Sequence, residues 1–239
     1  MAIIALLLSM LIPLLSSARE AGYRAVCGNN LRQMSVGWNG YIQDHKETFP
    51  LAAALPEWNY GGVTFHGLDA SPMLDSSRPI NKYLAEVITP AGEESAQTRD
   101  VAKIFHCPSD GGVYLRGKER RGSHALSVLG QAGGQSCYQF YGNSYRANPN
   151  LFGFDSEKPG EDPRPLRVHD IMIDASRLLI AGDPAWHYAT LDRASYEAQY
   201  DASWHSVPGS GHFLAADGSI RFVDFTKPIG NEFALSPRP

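Results

Sequence analysis

The opening stretch, MAIIALLLSMLIPLLSSARE, constrains this chain more than any other part of it. From Ala2 to Leu15 only Ser9 and Pro13 interrupt the apolar residues. A helix over residues 2–15 would be about 21 Å long. The hydrocarbon core of a bilayer is about 30 Å thick, so this run alone is too short to span it. The run has the length of a signal-peptide core, and Ser16-Ser17-Ala18 is a tolerable small-residue cleavage site. Met1 leads straight into Ala2, however, without the basic segment that a signal peptide carries.

The residues beyond Ala18 favour a different reading. Tyr23, Cys27, Leu31, Met34, Trp38, Tyr41 and His45 recur at steps of three and four, which places them on one face of a helix. Arg24, Asn29, Asn30, Arg32, Gln33 and Gln43 lie off that stripe. Pro13 kinks a helix without having to end it, and the residue before a proline avoids the helical region, so the helix should stop before Phe49-Pro50. The reading is one helix over residues 2–46, about 65–70 Å long. Its first third, with Ile3, Ile4, Leu7, Leu11 and Leu14, is apolar all round and suits lipid or a bundle of helices. Its remainder, from Tyr23 to Tyr41, is apolar on one side and suits a sheet. Two parts result: a membrane-anchoring and assembly helix, residues 1–46, and a globular head, residues 47–239.

The 239 residues suffice for a sizeable core. A net charge of −4 offers no basic face for nucleic acid, and the one basic cluster, Arg116 to Arg121, reads as a solvated loop between glycines. With 23 glycines and 16 prolines the body should be loop-rich and contain sheet.

Along the body, Trp58-Asn-Tyr60 and Thr64-Phe65-His66 read as short strand-and-turn pieces, and Pro79–Val87 as a short helix. Val101, Ile104 and Phe105 suggest a strand that ends at Cys107-Pro108, with Ser109-Asp110-Gly111-Gly112 as its turn. Residues 116–136 read as a glycine-rich loop, and CYQFYGNSYRAN (137–148) as an aromatic strand. Asp155–Pro165 reads as a linker loop, and Leu178–Ala181 as a buried strand after a turn at Asp174-Ala175-Ser176. GHFLAADGSIRFVDF is the clearest motif: two strands joined at Asp217-Gly218, expected as a type I′ turn. Ile220 and Phe222 alternate there with Arg221, Val223 and Phe225, so both faces should be partly buried.

Ala18-Arg19-Glu20, Cys27 and Asn30-Leu31-Arg32-Gln33 carry a resemblance to type IV pilin-like proteins (pseudopilins). The chain resembles in particular the planctomycete-type group with a prepilin N-terminus and a DUF1559-like body. Cys107-Pro108-Ser109-Asp110 matches that family's CPSD. The family ends its body with a His, nine residues and Asp-Gly; here eleven residues, SVPGSGHFLAA, separate His205 from Asp217-Gly218. The leader, the processing glycine and the glutamate after it are absent before Met1, so the family's apolar run is expected to continue upstream. The resemblance implies an α+β fold, with a long N-terminal helix on an antiparallel sheet. It implies a structural, non-enzymatic subunit in the inner membrane, single-pass, with its head outside the cytoplasm. Lipid and sister subunits of a filament or type II secretion-like pseudopilus are its expected partners.

Sharper chemical readings are weaker. Asp183, His205, His212 and Asp217 lack the close pairing usual among zinc ligands, and the bland role for His205 is to pin its loop. Calcium, held in a C-terminal loop by some pseudopilins, would need six or more oxygens from scattered Asp183, Asp192, Asp201 and Asp217. No cofactor is expected. Asp110, Asp183 and Glu197 have no distance set by sequence that would make them a glycosidase pair. Gly130 to Gly134 is not followed by the helix that a phosphate loop needs, and no nucleophile elbow occurs. Cys27 lies on the buried stripe, where packing alone is a role for it; outside the cytoplasm a disulfide is permitted, and Cys107 can pair with Cys27, clamping helix to sheet, or with Cys137, tying two neighbouring strands. The rival functions are a secreted or tethered binding module, such as a carbohydrate-binding one, with residues 1–18 as signal peptide, and a metal-dependent hydrolase using His205, His212 and Asp217.

Overall fold

The computed structural model describes residues 2–50, 55–66, 71–75, 77–88, 102–115, 136–152, 166–192, 194–195, 197–228 and 232–239. Of residues 2–10, 56, 65–66, 71–74, 85–88, 115 and 197 it describes the backbone alone. The basic cluster at 116–121, the glycine-rich stretch to 135 and the 155–165 linker lie outside the described residues.

Helix α1 runs from Ala2 to Asp44, 43 residues without interruption through Pro13. It is about 65 Å long. It ends slightly before the expected residue because the chain turns left-handed at Lys46 (φ 54°) and Glu47 (φ 60°). The Glu47 N–H closes the last turn on the carbonyl of Ile42 at 2.9 Å. Cys27, Leu31, Met34 and Trp38 of the stripe are buried; Tyr23 and Tyr41 are half-buried and His45 is exposed. Asn30, off the stripe, is buried as well.

The head is assembled from short elements. They are α2 (Pro56–Asn59), β1 (Val63–His66), β2 (Ser71–Leu74), α3 (Asn81–Ile88), β3 (Tyr114–Leu115), α4 (Cys137–Tyr141), β4 (Arg146–Ala147), β5 (Leu179–Gly182), α5 (Ala185–Thr190), β6 (Tyr200–Asp201), β7 (Ser210–Ala215) and β8 (Ile220–Asp224). The main sheet has four antiparallel strands in the order β4-β5-β7-β8; β1 pairs with β2, and β3 with β6, as separate ladders.

Four local expectations are corrected. Trp58 lies in the helical turn α2, not in a strand. Residues 102–104 form a helical turn, because buried Ala102 and Phe105 are three apart and the Phe105 N–H bonds back to the Ala102 carbonyl at 3.2 Å. The aromatic stretch from Cys137 is helix α4, and only Arg146-Ala147 is strand. Its aromatic residues suit a strand, but a capping box between Ser136 and Gln139 starts a helix and left-handed Gly142 (φ 74°) ends it. The β7–β8 turn is not type I′, since only Gly218 has positive φ (82°). The Gly218 N–H donates to the Ala215 carbonyl and the Ala215 N–H to the Ser219 carbonyl, both at 2.9 Å. This is a type I turn closed by a left-handed glycine, one residue longer than a two-residue hairpin.

The sheet is buried on both faces. Leu214 and Ile220 belong to the core built with α1, while Leu179, Phe213, Ala215, Val223 and Phe225 pack with Trp186 and Phe233 on the other side. Trp38 anchors the first core: its ring stacks on Tyr60 with centroids 5.1 Å apart and meets Phe49 and Phe152 near 6 Å. Truncating such a ring to alanine costs about 3–5 kcal/mol. The second half of α1 is therefore part of the head's interior, whereas Leu11, Ile12, Leu14 and Leu15 are 56%, 69%, 66% and 72% exposed.

Candidate functional site at the helix–head junction

Between the exposed and the buried parts of α1 lies a segment whose inward residues are polar. Glu20, Arg24 and Cys27, spaced four and three apart, share one face of α1. Each engages the loop between β6 and β7 or the CPSD turn. Cys27 is disulfide-bonded to Cys107, with Cα atoms 5.3 Å apart, and Cys137 is left as a buried free thiol. The alternative Cys107–Cys137 pairing is thereby excluded. Glu20 accepts a hydrogen bond from the Ser109 hydroxyl at 3.0 Å and meets His205 Nδ1 at 2.9 Å. Arg24 donates to the His205 carbonyl at 2.6 Å and lies over the Phe222 ring. Further along, the Asn30 amide donates to the His106 carbonyl and to the Tyr145 hydroxyl.

His205 is fully buried and sits between two carboxylates. Its Nδ1 faces Glu20, and its Nε2 lies 3.2 Å from Asp183 Oδ2. The same Asp183 oxygen is 3.2 Å from His212 Nδ1 and accepts the His212 main-chain N–H at 2.7 Å. Asp183 follows β5 directly and reaches this position past Gly211, where a Cβ would stand 2.7 Å from the Asp183 Cβ. Glycine is therefore required at 211. His205 and His212 pack edge to face, with Phe222 closing over both.

Burial acts against charge on both Asp183 and His205, and their contacts outweigh it. Burial alone would raise the Asp183 carboxyl, yet the two imidazoles hold it far below the usual carboxylate range. Burial alone would lower His205, yet Asp183 and Glu20 raise it above the ordinary histidine value. The arrangement favours a proton on His205, between carboxylates supplied by the helix and by the sheet. Among the described residues, two sets of potential metal ligands have their atoms within 4.8 Å of one another: Asp183, His205 and His212, and Cys27, Cys107 and His205.

Residues 16–171 match the model of the family described as "Protein of unknown function (DUF1559)". The chain belongs to the DUF1559 family. Searches of curated proteins and of solved structures give no match. Glu20, Cys27, Cys107 and Asp110 lie within the stretch matched to DUF1559; Asp183, His205 and His212 lie beyond it.

Within this DUF1559 chain, the CPSD turn is an organising element. Asp110 takes Gly112 N–H and Cys137 N–H on one oxygen, and Tyr138 N–H and the Ser144 hydroxyl on the other, at 2.7–3.0 Å. It thereby fixes the N-terminus of α4. Pro108 is exposed beside it. Asp217 is exposed at the hairpin tip, accepts the Ser219 N–H, and is not among the clustered ligands. Asp192 and Asp201 likewise accept from their own turns. Ile3, Ile4 and Leu7 fall where only the backbone is described. Arg24 and Asn30 lie off the apolar stripe, yet both bond inward, and Glu20 lies three residues before Tyr23, where the stripe extends by one turn.

Proposed function

We propose that this chain is a non-enzymatic, pilin-like subunit of the cell envelope, held by the front of α1 and displaying its head outside the cytoplasm. One observation carries the reading. The front of α1 exposes Leu11, Ile12, Leu14 and Leu15 together, while the same helix further along is head interior. Such a surface is costly in water and favourable in lipid or against like helices. The Cys27–Cys107 disulfide suits an oxidising compartment. Among the described residues no helix is long and apolar enough to cross a membrane. In this reading the front of α1 is therefore completed by neighbouring helices of sister subunits. Ser16 and Ser17 then set the register of that packing.

The test is fractionation of the full chain in its host, with cysteines placed at Leu11 and Leu14 for cross-linking. Recovery in the membrane fraction, release by detergent but not by salt, and a ladder of cross-linked oligomers are expected. Leu11→Asp with Leu15→Asp should move the protein to the soluble fraction. A mature N-terminus at Arg19 with a wholly soluble product would overturn the reading in favour of a secreted binding module.

A further inference from the structure

We propose that Asp183, His205 and His212 form a site for a zinc-class divalent ion that staples the β6–β7 loop to the sheet and, through Glu20, to α1. The two nearest separations, Asp183 Oδ2 to His205 Nε2 and Asp183 Oδ2 to His212 Nδ1, are both 3.2 Å. Ligands about 2.0–2.1 Å from a tetrahedral ion stand about 3.3 Å from one another, which these two separations match, and all three ligand atoms lie within 4.8 Å of one another. All three side chains are buried.

A second observation points to a cation at this place. The other Asp183 oxygen, Oδ1, is buried and has no hydrogen-bond partner, in a residue only 1% exposed. Both imidazoles and the His212 main-chain N–H crowd onto Oδ2, and an ion taken by both carboxylate oxygens would serve Oδ1 as well. The surroundings also fit. Glu20 holds His205 at Nδ1, which turns Nε2 inward, the orienting contact that zinc-bound histidines usually have. Two carboxylates, Glu20 and Asp183, then balance one dication, while Arg24 is engaged by the His205 carbonyl and Phe222. Two imidazoles with one carboxylate favour Zn²⁺, Co²⁺ or Ni²⁺ over the all-oxygen preferences of Ca²⁺ and Mg²⁺. Binding requires both ligating nitrogens, His205 Nε2 and His212 Nδ1, to be free of protons, so protons leave them as the ion enters. An open groove lined by Ser16, Glu20, Arg24 and Ser206 lies on the α1 side of the cluster, at Glu20. Cys107 Sγ, 3.7 Å from His205 Nε2, is held in the disulfide and is not counted as a ligand.

The experiment uses the untagged full chain, disulfide intact, stripped with chelator and titrated with Zn²⁺ and Co²⁺. One equivalent of Co²⁺ should give the absorption of a four-coordinate nitrogen–oxygen site, and Zn²⁺ should displace it and raise the unfolding temperature. His212→Asn should weaken Zn²⁺ binding at least 100-fold, and Glu20→Gln about 10–100-fold. Asp217→Asn, at the hairpin tip, should leave it unchanged. Absence of stoichiometric uptake by the wild type, or uptake indifferent to His212→Asn, overturns the proposal. The wild-type cobalt spectrum decides even if a variant fails to fold.

Discussion

Arg24 of α1 and His205 of the head are joined by a 2.6 Å bond from guanidinium to main-chain carbonyl, with the same guanidinium 4.7 Å from the Phe222 ring centre. Arg24→Met keeps the aliphatic stem and removes the charge-assisted bond. It should lower stability by about 1.5–3 kcal/mol, read as a shift in the urea midpoint followed by tryptophan fluorescence. Arg24→Lys should recover only part of the loss, because an ammonium cannot both donate and stack flat on Phe222.

The Cys27–Cys107 bond closes a loop with a sequence separation of 80. On the loop-entropy estimate it contributes about 4–5 kcal/mol. Unfolding the Cys27→Ser/Cys107→Ser double variant should show a deficit of that size. Peptide mapping without reduction should recover Cys27 linked to Cys107. Cys137, whose thiol burial pushes well up, should be alkylated only after unfolding.

The cluster gives chelator-treated protein a definite pH dependence. His205 holds its proton more tightly in the native state than in the unfolded chain, against burial and because Asp183 and Glu20 face it. Its contribution is therefore complete below the unfolded value of about 6.5 and is lost as pH rises through the native one. Asp183 is shifted down, so its contribution is present at all pH values above about 4. Arg24 and His212 complete the set of basic groups at the site. The unfolding free energy should fall as pH rises above about 6.5, and His205→Asn should flatten that slope.

Asp110 has no replacement of equal capacity. Its carboxylate receives four donors, and Asn would present an N–H₂ group to two of them. Asp110→Asn should cost about 2–4 kcal/mol, with loss of helix signal from the α4 region and a lowered thermal midpoint.

Periodicity made α1 legible, because a stripe of apolar residues at helical spacing has one geometric solution, and Tyr23 to Tyr41 supplied it. The β7–β8 hairpin was legible for the same reason, through alternation and a glycine at its turn. What failed was local. Cys137–Tyr141 has the aromatic content of a strand, and two hydrogen bonds of a cap outvoted it. The junction was legible only in fragments. Glu20, Asp110, Asp183 and His205 come from four distant parts of the chain, and no spacing rule states that a carboxylate after β5 and one on α1 will meet the same imidazole. His205 and Asp217 sit close in sequence, yet the turn between strands carries Asp217 to the tip and away from the cluster.

The cross-link at Cys27 falls where the exposed front of α1 gives way to the part inside the head. A force pulling on the front turns would meet the Glu20 and Arg24 contacts and then a covalent bond, ahead of the stacked rings around Trp38. Tension along the rod would then reach the CPSD turn as a tug on a fixed post.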